Sequence, residues 1–222
     1  MASRDLNGAV VAVIGATGGM GTAITAALVG RGATVVRCNR SGGPDSDLAI
    51  DLRDSRAGDQ LVEYATATHG RLDGAVIAAG IVAFGDLVDT DDVVIEELFL
   101  TNAMGPMWLA KRVAPALQAS QGFFVNLSGV VAETPMPGMA AYSASKAAAA
   151  AATEAIRREF RRMKVSVIDV RPPHTETGLA TRPISGTAPK MPVGLDPAVV
   201  AERVVAAIEQ GDSALASTDF TS

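Results

Sequence analysis

Apolar positions along the chain fall into short, nearly unbroken runs separated by longer stretches with helical spacing. Residues 9–14 read AVVAVI, offering no polar position to either face, as expected of a strand covered on both sides. Residues 33–37 (ATVVR), 74–78 (GAVIA), 123–127 (FFVNL) and 165–170 (VSVIDV) repeat the pattern. Residues 48–50 form a shorter candidate, and 213–216 a last edge strand. Helices are predicted over 21–31, 55–69, 91–119, 142–163 and 197–210, with Pro106 and Pro115 expected to kink or divide the third. Strands alternating with helices of this length predict an α/β fold with a parallel sheet wrapped on both faces. No repeat or linker interrupts the alternation, so residues 1–222 are read as one domain.

Composition narrows the function more than the fold. Of 222 residues 48% are hydrophobic but only 4% aromatic, so the core must be built from Ala, Val, Leu and Ile. High apolar content excludes disorder. The single Cys38 excludes a disulfide framework, and His69 and His174, far apart in the chain, make no zinc cluster. A net charge of −5 argues against nucleic-acid binding. The polar first residues and the lack of a long apolar run suggest a soluble protein of a reducing, cytoplasmic compartment, with no membrane partner.

The glycine-rich turn after the first strand changes the picture. Gly15, Thr17, Gly18, Gly19, Met20 and Gly21 lie between an apolar strand and a helix, where backbone N–H groups and the helix dipole meet a phosphate. The expected fold is therefore a Rossmann-type doubly wound sheet of about seven strands that binds a dinucleotide. At the end of the second strand, where a carboxylate would hold a ribose 2′-hydroxyl, stand Asn39, Arg40 and Ser41. An acid would repel a 2′-phosphate and a guanidinium would bind one, so NADP(H) is expected over NAD(H). Asp51, after the short third strand, is a candidate acceptor for the adenine amino group.

Tyr142 and Lys146, four residues apart at the start of a helical stretch, share one helix face. A neighbouring ammonium would lower the phenol pKa towards working pH and fit Tyr142 for proton transfer to a carbonyl oxygen. The glycine turn, Asn102, Ser128 and the Tyr142/Lys146 pair, in this order, make a chain that resembles the short-chain dehydrogenase/reductase family over nearly its whole length. It is similar to the compact 3-oxoacyl-acyl-carrier-protein reductases. The resemblance implies a Ser–Tyr–Lys–Asn active site, with Tyr142 as acid/base, Lys146 also binding nicotinamide ribose, and Asn102 holding a proton-relay water. It also implies cofactor contacts at Leu52, Ala79, Gly80, Pro172 and Thr177, and association into a homodimer or homotetramer through the long middle helix and the Tyr142 helix. The glycines fit both the G-x-x-x-G-x-G of compact reductases and the G-x-x-G-x-x-G of sugar-nucleotide epimerases. Too little chain follows Lys146 for the second.

The chain departs from the family pattern at several points. The family serine lies thirteen residues before the tyrosine, which reaches Gly129, one position past Ser128. Either an extra residue in 130–141 restores Ser128, which is the expectation, or the carbonyl-orienting hydroxyl is missing. Residues 77–80 (IAAG) replace the usual N-N-A-G, and Pro172-Pro173 the usual Pro-Gly. The Pro-, Gly- and Thr-rich segment 172–195 reads as a short substrate lid, carrying His174, Arg182 and Lys190 as candidate contacts. The expected activity is NADP-dependent reduction of a small-molecule carbonyl; the alternative is a weakly active or inactive NADP-binding sensor or scaffold.

Overall fold

The computed structural model describes residues 4–220 of the chain. Seven strands, β1 (Val10–Ile14), β2 (Thr34–Asn39), β3 (Leu48–Ala49), β4 (Gly74–Ile77), β5 (Phe123–Leu127), β6 (Ser166–Val170) and β7 (Ala214–Leu215), form one sheet ordered β3-β2-β1-β4-β5-β6-β7. Every neighbouring pair runs parallel. The doubly wound sheet read from the sequence is therefore present.

The strand alternation explains why the runs are apolar throughout. Val11 and Val13 face a core shared with α1 (Gly19–Gly30) and α6 (Pro197–Gln210). Val10, Ala12 and Ile14 face the opposite core, under α2 (Ala57–His69) and α4 (Gly105–Ser120). Each such Val or Ile contributes about 1.5–3 kcal/mol through burial, which leaves β1 no room for a polar residue. The same alternation puts Phe124 on the α2/α4 face, the side also covered by α5 (Ala140–Phe160).

The long third helix breaks at a different place from the one its prolines suggested. It divides into α3 (Asp92–Phe99), a π-helical segment Leu100–Met104, and α4. Pro106 sits in the first turn of α4, where its missing N–H costs nothing, and Pro115 is carried inside the helix. The break is made by Asn102, whose side chain leaves the helix to pair with the backbone of Ile81: Oδ1 accepts from Ile81 N at 3.0 Å and Nδ2 donates to Ile81 O at 2.9 Å.

Strand order reverses between β1 and β4, and there the carboxyl ends open a crevice. Segment 172–195 reaches over this end. Its neck is closed by Leu195 N donating to His174 O at 2.9 Å and Glu176 N to Leu195 O at 3.0 Å. Farther out, Ile184 N donates to Val82 O and Phe84 N to Ser185 O. Among the described residues no helix is long and apolar enough to cross a membrane.

Candidate active site

The glycine turn is drawn tightly into the crevice. At Gly15, where φ is +88°, a Cβ would lie 2.7 Å from Ala79 N, so only glycine lets the ends of β1 and β4 approach. A Cβ at Gly19 would lie 2.6 Å from Thr177 O, which brings the lid down onto the turn. The α1 helix starts at Gly18 without a side-chain cap and without an acid in its first turn. Its leading N–H groups and dipole are therefore set for an anion. Met20 is buried beneath the turn and Thr17 is exposed on it. These features fit the diphosphate of a dinucleotide.

The turn after β2, expected to meet the adenosine end of the cofactor, is arranged differently from the simplest expectation. Asn39 Oδ1 accepts from Gly42 N at 2.6 Å, so the side chain shapes its own turn. Arg40 and Ser41 are exposed on that turn, and Arg40 makes no ion pair among the described residues. Asp51 is held by Arg53, with 2.7 Å between Oδ2 and a guanidinium nitrogen, and Arg53 also reaches Glu97 at 3.0 Å. The Arg53 hydrogen bond keeps the Asp51 carboxyl below its usual range. Leu52 is buried against the start of α4.

At the other end Tyr142, Lys146 and Asn102 converge. Both Tyr142 and Lys146 lie in the first two turns of α5 and are 8% and 7% exposed. Lys146 Nζ donates to Leu127 O at 2.8 Å. A Cβ on Gly80 would stand 3.2 Å from Asn102 Oδ1 and 3.5 Å from Lys146 Nζ, so Gly80 is the floor the two share. Asn102 Nδ2 also donates to Ser145 Oγ at 3.1 Å, and that hydroxyl donates to Tyr142 O at 2.7 Å. Ser145 thus couples the π-helical segment to the tyrosine turn.

Two expectations require correction. Ser128 does not turn towards Tyr142. It is fully buried, and its hydroxyl donates to Asp169 Oδ1 at 2.6 Å. It keeps the strand alternation of Phe124 and Asn126, which points it under α5 rather than into the crevice. Gly129 occupies the position the family serine would take, at φ +82° and ψ 162°, with no atom within 4 Å of where a Cβ would be. The tyrosine titration also runs opposite to expectation. Burial raises the Tyr142 phenol to about 12, and burial draws Lys146 down to about 8. Tyr142 packs in one cluster with the apolar Val82, Phe84, Leu98, Val131 and Met139, and the desolvation they impose is the cause of its shift.

The space beside the Tyr142 ring, lined by Phe84, Leu98 and Met139 among others, measures about 10 Å³, room for one water. The lid residues Leu179, Ala180 and Ala188 pack against the same cluster. His174 Nε2 lies 3.3 Å from Glu176 Oε1, which also accepts from Gly194 N at 2.7 Å, so this histidine belongs to the lid neck. Arg182 donates to Gly178 O. Pro172 O accepts from Val130 N at 3.0 Å, and Thr177 Oγ1 accepts from Leu179 N. The residues the sequence reading passed over are Ser145 and Asp169. A lone carboxylate inside the apolar run VSVIDV was the signal for the second.

A profile of the family described as short chain dehydrogenase matches residues 9–186. The chain is 29% identical to dehydrogenase/reductase SDR family member 7B of Bos taurus, covering 90% of this chain and 70% of that one. It is 30% identical to the ketoacyl reductase HetN of a Nostoc species, covering 92% and 76%. A short chain dehydrogenase from Burkholderia cenocepacia, solved in complex with NADP, superposes with a TM-score of 0.82 at 27% identity, covering 96% of this chain and 89% of that one. The chain spans about 65–75% of the length of several curated relatives. With the glycine turn, the parallel sheet and a profile match over most of its length, the chain belongs to the short-chain dehydrogenase/reductase family, as an oxidoreductase that uses a nicotinamide cofactor.

Proposed function

We propose that this protein reduces a small apolar carbonyl compound with NADPH, Tyr142 donating the proton. The observation that carries the reading is the convergence of Tyr142, Lys146 and Asn102 around Gly80, at the crevice where the glycine turn lies. Gly15 to Gly21 would hold the diphosphate, Arg40 and Ser41 the 2′-phosphate, and Lys146, Pro172 and Thr177 the nicotinamide end. When bound, the reduced nicotinamide supplies a hydride to the carbonyl carbon. The Tyr142 hydroxyl, which burial lifts to about 12, is protonated at neutral pH and gives its proton to the carbonyl oxygen. Lys146, with one N–H spent on Leu127 O, keeps two donors and a positive charge beside the phenolate left behind. The chain's own chemistry in this direction is therefore proton delivery into a dry pocket.

Val82, Phe84, Leu98, Val131 and Met139 around Tyr142 support an apolar substrate, such as the ketone of a 3-oxoacyl thioester or a hydrophobic ketone. Association through the faces of α4 and α5 is part of the same proposal, and the exposed Met104 and Met107 support it. The decisive experiment is Tyr142→Phe, assayed by NADPH oxidation against a panel of ketones, diketones, quinones and acyl thioesters. Turnover should fall by about a thousandfold or more while NADPH binding is kept. Undiminished turnover would sink the proposal. A second reading, a cofactor-binding protein with weak or no turnover, is favoured by one observation: Gly129 supplies no hydroxyl for the carbonyl. Tight NADPH binding with no turnover on the whole panel would select it.

A further inference from the structure

A carboxylate in an interior strand of a parallel sheet is costly to bury without partners. Asp169, 7% exposed in β6, therefore calls for an explanation. It pairs in register with Asn126 on β5, and both lie on the face covered by α5. The Asn126 amide is occupied by Thr153 Oγ1 at 3.0 Å. Two residues further along the chain towards the crevice, Ser128 donates its hydroxyl to Asp169 Oδ1 at 2.6 Å, and Oδ2 faces Arg171 Nε at 3.1 Å. Arg171 in turn reaches Glu133 at 2.9 Å, and Glu133 accepts from Ser217 Oγ at 2.6 Å.

Lys146 arrives at the same place from α5. Its Nζ donates to Leu127 O, the carbonyl between Asn126 and Ser128. The ammonium and the carboxylate are thus brought to one short stretch of β5 from two different elements. The neutral Asn102 amide stands across Gly80 from Lys146, and Tyr142 lies one turn earlier on α5. Those that face Asp169 are Ser128, Arg171 and, beyond Arg171, Glu133. Lys146, Arg171, Asp169 and Glu133 balance in charge; Lys146 and Asp169 make no direct ion pair among the described residues, and the attraction between them acts across the end of β5.

We propose that Asp169, braced by Ser128 and Arg171, is a positioning residue for Lys146, its buried carboxylate keeping the ammonium charged and held at the end of β5. Attraction to Asp169 opposes the burial that draws Lys146 down. Ser128 therefore serves the active site indirectly, by fixing the Asp169 carboxylate. The consequence for turnover rests on the Tyr142/Lys146 reading given above, whereas the effect on Lys146 itself does not.

The test is a titration of the full chain labelled with 13Cε-lysine, with the Lys146 resonance identified by its loss in Lys146→Arg. In Asp169→Asn the Lys146 titration should move to lower pH by about half a unit or more. The basic limb of the kcat–pH profile should move with it, while KM for the carbonyl compound stays within about twofold. Should Asp169→Asn not fold, Asp169→Ser removes the charge while leaving Ser128 a hydroxyl partner, and the same downward shift is expected. A Lys146 titration unchanged by removal of the Asp169 charge overturns the inference. A shifted titration in a protein that turns over no carbonyl compound would support it and reject the reductase reading instead.

Discussion

Gly129 offers the sharpest test of how this site departs from its family. Its φ of +82° with ψ of 162° lies in a region open essentially to glycine alone. Space is not the obstacle, since nothing lies within 4 Å of the position a Cβ would take. The cost of any side chain there is therefore backbone strain, about 1–3 kcal/mol. For a chain of this size each kcal/mol moves Tm by roughly 2–4 °C, so Gly129→Ala and Gly129→Ser should both melt about 2–12 °C lower. The two variants share the strain and differ only in the hydroxyl. If the site lacks a carbonyl-orienting hydroxyl, Gly129→Ser should turn over at least about tenfold faster than Gly129→Ala, the effect of one hydrogen bond strengthened in the transition state. Thermal unfolding and NADPH-oxidation rates on the same preparations decide it. Unchanged melting in both variants would show that the backbone is free to relax. Equal rates would show that the missing hydroxyl is not what limits the site.

Other expectations follow from the same geometry. Arg40→Ala should weaken NADPH binding by about 10–150-fold, the worth of a charge-assisted contact, and leave NADH binding unchanged; equal losses for both cofactors would reject Arg40 as the 2′-phosphate ligand. Asn102→Ala removes the side chain bonded to both backbone groups of Ile81 and should cost about 2–4 kcal/mol in urea unfolding, a loss below about 1 kcal/mol counting against its role in shaping the π-helical segment. Lys146 titrates at about 8 in the fold against 10.5 when free, so the unfolded chain binds more protons between those values and stability should rise with pH across them. Tyr142, raised from 10.0 to about 12, acts with the opposite sign, and its contribution is lost as pH climbs from 10 through 12. Lys146→Met should therefore be more stable than the parent at pH 7, by up to about 3 kcal/mol, with the gain fading towards pH 10.5; a gain independent of pH would refute the cause.

The sheet was legible because its signal is local. In β1 every residue is buried against one core or the other, so the apolar run in the sequence is itself the structure. The glycine turn was legible for a related reason, since its glycines answer to backbone contacts that a Cβ would break, and those contacts follow directly from a strand running into a helix. The π-helical break was hidden because its cause is distant: Asn102 pairs with Ile81, 21 residues earlier, while the nearby prolines drew attention to themselves. Ser128 was hidden for the same reason, its partner Asp169 lying 41 residues away on the neighbouring strand.

The tyrosine titration was hidden for a different reason. The spacing of Tyr142 and Lys146 correctly puts them on one face, but spacing says nothing about the medium between them. The lid and the residues 82–84 dry the tyrosine, and desolvation raises its pKa instead of the lowering expected from the ammonium. The lysine escapes part of the same penalty through its attraction to Asp169, the one carboxylate in an otherwise largely apolar strand. A serine displaced by one position from the family pattern is thus better understood from what it holds than from what it fails to reach. Its hydroxyl fixes Asp169, the acid whose attraction Lys146 feels, and Gly129 is left at the position the family pattern gives to the serine.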